Sequence, residues 1–176
     1  MISDYLKTYS NYYLSRYTVT KKKFEEILKK KINKDFFQNK ITEDQKNEFL
    51  LEIQSIIEYF KRIGMFNEER LLEITFQNYT NRGYSQKKIS YKLKEAKFDD
   101  ILLSNFLKTK LNNQEFSELL IVNYLKKSKI IEKQKKLNIP QNQLFDKVLK
   151  KLAIQGFDYE NSFKILQKLI SNGKSL

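Results

Sequence analysis

Apolar side chains recur at helical spacing along almost the whole chain, and few residues interrupt this pattern. In the clearest stretch, Phe49, Ile53 and Ile56 are spaced to share one face of an α-helix. The 176 residues include only four Gly and one Pro, the residue types that most often end or break a helix. No stretch shows the sustained two-residue alternation of a half-buried β-strand. The pattern therefore predicts an all-α fold of about nine helices joined by short connections.

Several helix boundaries can be predicted from capping residues. Thr42 followed by Gln45 matches a capping box, and Gly64 is placed to end the helix that begins there. Further helix starts are predicted after Asn67 and at Ser85, Asp99 and Asp158. The apolar pattern over residues 116–136 predicts one long helix, and Pro140 then breaks the pattern.

The chain also matches itself at two offsets, 65 and 59 residues. Each match covers a cap or basic flank, an apolar pair at helical spacing, and the start of the next helix. The matched positions include Thr20 with Ser85 and Leu28 with Leu93 at the first offset, and Leu93 with Leu152 and Phe98 with Phe157 at the second. Since both matches centre on the same basic middle helix, the repeating unit is predicted to contain three helices.

This repetition predicts three tandem three-helix repeats, with boundaries at residues 1–64, 65–111 and 112–176. Helical repeats of this kind stack on their neighbours and share one long face. The expected body is elongated and curved, right-handed or solenoid-like, and suits a groove or a filament better than a small-molecule pocket.

The composition argues against most kinds of catalytic site. The chain has no His and no Cys, which removes thiolate nucleophiles, Ser-His-Asp arrangements and the commonest metal ligands. Its four Gly are far apart, so no phosphate-binding loop is present. Paired carboxylates at 25–26, 43–44, 68–69 and 99–100 leave a Mg²⁺-dependent hydrolase as an alternative. The expectation is a protein that is not an enzyme and has no cofactor, catalytic residue or metal site.

The formal charge of +13 is unevenly distributed. Residues 43–73 contain eight acidic and four basic side chains, whereas residues 82–97 contain six basic side chains and one acidic. Coding bias and ordinary solvated helix faces both explain some of this excess. The alternative is a stepped basic ridge that faces phosphates or an acidic partner. Its nine candidate partner- or DNA-binding residues, the predicted basic set, are Lys22, Lys23, Arg82, Lys87, Lys88, Lys92, Lys147, Lys150 and Lys151.

Two further features bear on nucleic-acid binding. Most of the basic residues are Lys, and Lys neutralises phosphates without reading bases, so any DNA contact is expected to be independent of sequence. Tyrosines that flank basic positions are candidates for stacking on single-stranded bases, although tyrosine at helical spacing is also common at the edge of a core. These are Tyr12, Tyr13, Tyr17, Tyr84 and Tyr91.

Three segments, in order, resemble the RecX family. The residues 63–71, IGMFNEERL, followed by Phe76, Arg82-Gly83, Lys88-Ile89, Leu93 and Phe98-Asp99, are similar to the central signature of that family. Residues 13–20, YLSRYTVT, resemble its opening segment, and residues 156–159, GFDY, resemble its closing motif. Departures from the family pattern include Lys97 in place of a Gly and Asn67 in place of an acidic residue.

This resemblance implies a bacterial cytoplasmic regulator that binds the RecA recombinase filament and limits its activity in DNA repair, recombination and the SOS response. It also implies three tandem three-helix repeats and no catalysis. The expected partners are the RecA filament and single- or double-stranded DNA; the chain is expected to be a monomer and to bind no membrane. The acidic stretch with Glu68, Glu69 and Glu73 is expected to meet basic partner residues or to limit DNA contact. The alternative is a stand-alone, sequence-independent nucleic-acid-binding module.

Overall fold

The computed structural model describes residues 2–111, 113–136 and 140–171, and these residues form ten α-helices without a β-strand. The all-α expectation is confirmed for this part of the chain. The helices are α1 Asp4–Leu14, α2 Lys21–Phe37, α3 Glu43–Arg62, α4 Glu68–Asn81, α5 Gln86–Glu95, α6 Asp100–Leu111, α7 Gln114–Ser128, α8 Ile130–Lys135, α9 Gln141–Ile154 and α10 Tyr159–Ser171. Two compact units contain them, Met1–Leu72 with Ala96–Leu102, and Glu73–Glu95 with Leu103–Leu176.

The core of the first unit lies between α1, α2 and α3. Phe24, Leu28 and Ile32 lie on one face of α2 and are fully buried. They pack against the apolar stripe of α3 that the sequence predicts, in which Ile56 and Phe60 are fully buried. This periodic burial explains why α2 forms a helix although most of its residues are charged.

In the second unit, α10 packs against α7 and α9, and α8 contacts both α7 and α9. Buried side chains of this region include Leu120, Ile121, Val148, Leu152 and Leu166. The turn between α4 and α5 passes so close to α7 that a Cβ atom on Gly83 would overlap the backbone nitrogen of Tyr124. Gly83 also has a φ of 70°, so both its backbone angle and its surroundings require glycine.

Most of the predicted helix boundaries are confirmed. Both hydrogen bonds of the Thr42–Gln45 capping box are present, at 3.2 and 2.9 Å. Gly64 ends α3 with a φ of 77°, the left-handed conformation that glycine adopts without steric cost. The side-chain oxygens of the predicted caps accept backbone N–H groups in the first turns of α4, α5, α6 and α10; the caps are Asn67, Ser85, Asp99 and Asp158.

The prediction of one continuous helix over residues 116–136 is wrong. α7 ends at Ser128, and Lys129 adopts a left-handed conformation with a φ of 50° before α8 begins at Ile130. The apolar pattern continues across this break, because Leu125 and Ile130 are both buried. Neither Gly nor Pro marks the site, so the sequence contains no local signal for it.

Candidate polyanion-binding surface

The start of α2 is held by a hydrogen bond to a distant turn of the same unit. Thr20, which is 2% exposed, accepts a hydrogen bond from the backbone N–H of Lys23 and caps the helix. The same hydroxyl donates to the backbone carbonyl oxygen of Ala96 at 2.9 Å. Lys97 follows with a φ of 60°, and Phe98 is then buried. A single hydroxyl thus orients the basic first turn of α2 relative to this turn.

The second unit contains the same arrangement at the start of α5. Ser85, which is 1% exposed, accepts from the backbone N–H of Lys88 and donates to the carbonyl oxygen of Gln155 at 2.7 Å. Gly156 follows with a φ of 84°, and Phe157 is buried. A Cβ atom on Gly156 would lie 3.8 Å from Cβ of Lys87, so this turn lies directly against the first turn of α5.

Glu68 makes a structural contact within the first unit. Its side chain is 10% exposed and accepts hydrogen bonds from the backbone N–H groups of Lys21 at 2.9 Å and Asp99 at 3.4 Å. Glu68 therefore supplies an acceptor to the start of α2 and to the residue that caps α6. In the sequence Glu68 belongs to an acidic stretch that is expected to face a partner, but its carboxylate is already engaged within the chain.

Two members of the predicted basic set lie in the first unit, and both are paired with carboxylates. The Lys22 ammonium lies 2.7 Å from the Asp100 carboxylate, and this hydrogen bond raises the lysine's pKa. Lys23 lies 3.6 Å from Glu26, which also pairs with Lys97. The hydrogen bond from Lys97 lowers the pKa of the Glu26 carboxyl. These two lysines are exposed or partly exposed, but much of their charge is compensated locally.

The other seven members lie in the second unit, where one of them is paired. Lys92 lies 3.4 Å from Glu95. The remaining six have no carboxylate partner within the part of the chain that the structure describes, and we call them the unpaired cations. They are Arg82, Lys87, Lys88, Lys147, Lys150 and Lys151.

The unpaired cations are only partly brought together. Lys147, Lys150 and Lys151 are exposed and lie within about 100° of one another around α9. On α5, Lys88 lies over the ring of Tyr84, with 4.4 Å between the ammonium and the ring centroid. Lys87 points to a different side of α5, because adjacent residues of a helix lie about 100° apart. Arg82 is exposed in the turn between α4 and α5, so the set divides among the α9 face, two sides of α5 and this turn.

The structure also separates the five candidate stacking tyrosines. Tyr12, Tyr17 and Tyr91 are 53%, 54% and 62% exposed. Tyr13 is half-buried, between Tyr17 at 4.8 Å and Phe24 at 5.9 Å between ring centroids. Tyr84 stacks on Tyr79 at 5.4 Å and is also half-buried. Exposure therefore leaves three of the five with ring surface available to a ligand.

Three of the four carboxylate pairs, at 25–26, 68–69 and 99–100, have side chains engaged in contacts within the chain. Glu25 pairs with Lys29 at 2.5 Å, and the carboxylate of Asp99 accepts backbone N–H groups of α6, which lowers its pKa. No group of three or more Asp or Glu side chains with the geometry of a metal site occurs among the described residues. None of the helices described is long and apolar enough to cross a membrane.

Thr20 and Ser85 are recognisable from the sequence as equivalent caps, but the carbonyl groups that they reach are not. Arg16 stacks on Tyr12, with 4.1 Å between the guanidinium carbon and the ring centroid. This contact was not among the predictions made from the sequence. Their spacing of four residues along the chain is a signal that could have suggested this pair.

Comparison with protein-family models, curated proteins and solved structures finds no match to this chain.

Proposed function

We propose that this chain is a RecX-like, non-catalytic regulator that binds the RecA recombinase and its DNA filament in the bacterial cytoplasm and mainly inhibits recombinase activity. The observation that carries the proposal is the recurrent hydrogen bond from a helix-capping hydroxyl to the turn before a buried phenylalanine. It occurs from Thr20 to Ala96 and from Ser85 to Gln155. Both instances fall at the residues that the sequence offsets of 65 and 59 bring into register.

This recurrence supports an organisation in three tandem three-helix repeats. In that organisation α1–α3, α4–α6 and α7–α10 form the repeats, α2, α5 and α9 are the middle helices, and α8 is an additional element. The cap of one middle helix bonds the turn that follows the next one. Residues at the same place in the turn, Lys97 and Gly156, both have positive φ, and Phe98 and Phe157 are both buried.

The residues that resemble the RecX signature have roles in the structural framework. Gly64 and Gly83 end helices with positive φ, and Gly83 is also required by the close approach of Tyr124. Asp99 caps α6, and Phe98 is 2% exposed. The resemblance therefore involves positions that determine how helices end and connect, which supports a shared fold more strongly than matches at exposed positions do.

The unpaired cations support contact with a polyanion. An ammonium that already has a carboxylate partner gains less from a phosphate, because it must first lose that partner. Lys147, Lys150 and Lys151 have no such partner in the described structure and share the exposed face of α9. Lys side chains favour contact with phosphates without base reading, which suits a filament whose DNA sequence varies.

The test measures RecA-catalysed strand exchange and single-stranded-DNA-dependent ATP hydrolysis with increasing amounts of this protein. We expect inhibition by wild-type protein and weaker inhibition by a Lys147→Gln, Lys150→Gln and Lys151→Gln triple variant. The matched control is Lys22→Gln with Lys23→Gln, which removes paired lysines and should retain most of the inhibition. Absence of inhibition by wild-type protein at stoichiometric amounts would refute the proposal.

Binding measurements separate this proposal from a stand-alone nucleic-acid-binding module. A regulator of the filament should bind RecA–DNA filaments more tightly than it binds bare DNA of the same length. Equal affinity for the two, with no effect on RecA activity, would instead support the stand-alone module. Each phosphate contact removed should reduce the slope of log K against log salt concentration by about 0.7 to 0.9.

A further inference from the structure

The C-terminal end of α1 presents two exposed tyrosine rings that are each supported on one side. Tyr12 stacks with Arg16, which also donates a hydrogen bond of 2.7 Å to the Tyr12 hydroxyl. Tyr17 packs on Tyr13, with 4.8 Å between the ring centroids. Tyr13 in turn contacts Phe24 of the core. About half of the surface of Tyr12 and of Tyr17 nevertheless remains exposed, at 53% and 54%.

Such support matters for binding because it holds each ring in place before a ligand arrives. A flexible aromatic side chain loses conformational entropy when a base stacks on it, whereas a supported ring has already lost much of it. Arg16 has no carboxylate partner within the described residues, so no ion pair compensates the guanidinium beside the Tyr12 ring. The combination suits a planar aromatic ligand that carries negative charge.

Positive charge continues on the neighbouring side of α2. The two helices are antiparallel, because Tyr5 contacts Asp35, the Lys31 ammonium lies 5.4 Å from the Tyr9 ring, and Tyr13 contacts Phe24. Lys34 and Lys30 lie roughly 60° and 100° around α2 from Lys31, in the direction away from the buried residues of this helix. We call this side of the α1–α2 pair its outer edge.

Tyr12 occupies the corresponding outer edge of α1, since it precedes Tyr13 by about 100° around that helix. Lys30 and Lys34 are exposed and have no carboxylate partner among the described residues. The outer edge of the α1–α2 pair therefore has the Tyr12 ring on the α1 side and unpaired ammonium groups on the α2 side.

We infer that this edge, formed by Tyr12, Arg16, Lys30 and Lys34, together with Tyr17 just beyond the end of α1, binds single-stranded DNA by stacking unpaired bases on the tyrosine rings while the cations contact phosphates. The inference deepens the proposed function and rests on it only for the biological source of the strand, which is the DNA of a recombinase filament. A duplex fits this edge less well, because its bases are already stacked on one another and cannot reach the rings.

The test measures binding of labelled oligo(dT) of about 20 nucleotides, which exceeds the site of a typical stacking protein, by fluorescence anisotropy without RecA. Two competitors of the same length are an abasic strand, which retains the phosphates but lacks bases, and a duplex. We expect the abasic strand and the duplex to bind at least about tenfold more weakly than oligo(dT). Equal affinity for oligo(dT) and the abasic strand would overturn the inference, as would tighter binding of the duplex.

Variants locate the binding to this edge. Tyr12→Leu with Tyr17→Leu should weaken oligo(dT) binding by about tenfold or more and leave abasic-strand binding unchanged. Lys30→Gln with Lys34→Gln should weaken binding of both strands and reduce the salt dependence. Tyr159→Leu is the matched control, since Tyr159 is 62% exposed but lies between two acidic residues. An effect of Tyr159→Leu equal to that of the double tyrosine variant would overturn the assignment.

The outcomes distinguish this inference from the proposed function. If wild-type protein inhibits RecA but does not distinguish oligo(dT) from the abasic strand, the stacking edge is wrong and the regulator remains. If oligo(dT) binding depends on Tyr12 and Tyr17 while RecA activity is unaffected, the stacking edge stands and the regulator is wrong. Should the double tyrosine variant fail to fold, the abasic comparison with wild-type protein still decides the inference.

Discussion

The hydroxyl of Thr20 donates a hydrogen bond of 2.9 Å to the carbonyl oxygen of Ala96, 76 residues later in the chain. The same oxygen accepts the backbone N–H of Lys23, so one buried atom both caps α2 and fixes the turn after Ala96. An equivalent bond joins Ser85 to Gln155 in the second unit. In each bond, the hydroxyl that caps one helix donates to a carbonyl oxygen at the end of another helix. A single substitution of the capping residue removes either bond.

Thr20→Val should lower the free energy of unfolding by about 1 to 3 kcal/mol, because it leaves the Ala96 carbonyl oxygen without this donor and the Lys23 N–H without its acceptor. Ser85→Ala should have an effect of the same size in the second unit. The measurement is urea-induced unfolding followed by far-UV circular dichroism. Thr18→Val, at an exposed position before α2, is the control and should change stability by less than about 0.5 kcal/mol. An unchanged Thr20→Val protein would show that this hydrogen bond is dispensable.

Two glycines with similar backbone angles should respond differently to alanine. Gly64 has a φ of 77° with no atom within 4 Å of an added Cβ, so Gly64→Ala should cost only about 1 kcal/mol. Gly83 has a φ of 70°, and an added Cβ would also lie 2.8 Å from the carbonyl carbon of Asn123. Gly83→Ala should therefore cost about 3 to 4 kcal/mol, since steric overlap adds to the backbone strain. Thermal and urea unfolding would measure both, and equal effects would contradict the close approach.

Lys97→Gly should stabilise the protein by about 0.5 kcal/mol. The substitution relieves about 1 kcal/mol of steric cost at a φ of 60° and loses only a solvent-screened ion pair with Glu26. Glu26 retains Lys23 as a partner, which limits the loss. Because salt screens the ion pair and not the backbone strain, the gain in stability should increase with salt concentration. A variant that is less stable than wild type at high salt would show that the left-handed conformation is not strained.

Asp35 should make stability depend on pH. Burial raises the pKa of its carboxyl, but hydrogen bonds from Lys31 at 2.5 Å and from the Tyr5 hydroxyl at 2.6 Å outweigh it, so the net pKa lies below its usual value. Its stabilising effect is therefore fully present above the unfolded-state pKa of about 3.9 and is lost as the pH falls through the lower folded-state pKa.

Asp35→Asn should lower the free energy of unfolding at neutral pH by about 2 kcal/mol and remove this part of the acid dependence. Urea unfolding at a series of pH values from neutral to strongly acidic would measure the difference between the two proteins. Asp146→Asn, at an exposed position on α9, should keep the wild-type dependence. A constant difference between wild type and Asp35→Asn at all pH values would exclude a role for the charge of Asp35.

Local features of the fold were predictable because they depend on neighbours in the chain. The capping box at Thr42 and the glycine stop at Gly64 involve contacts within a few residues, and the structure contains both. The break at Lys129 was not predictable, because a lysine in the left-handed conformation carries no local signal and the apolar pattern continues through it. Leu125 before the break and Ile130 after it are both buried. This burial points to tertiary packing, rather than local helix propensity, as the cause of the break.

The candidate site was predictable only as a list of residue types. Glu68 resembled an exposed acid at the start of a helix, and its 10% exposure depends on α2 and on the turn before α6. Tyr12 and Tyr13 are adjacent and chemically identical, yet Tyr13 is half-buried against Phe24 of α2, whereas Tyr12 points about 100° away and is exposed. Exposure and partners follow from packing between distant segments, which sequence periodicity does not specify.

The sequence alone determined that this chain forms helices, where most of them begin and end, and that its charge is strongly positive. Only the tertiary structure decided which positive charges have partners within the chain. Lys22 meets Asp100 across 78 residues, and Lys97 meets Glu26 across 71, while the lysines on the outer face of α9 meet no carboxylate in the described structure. Helix formation depends on contacts between near neighbours, whereas the pairing of charges depends on segments that only folding brings together.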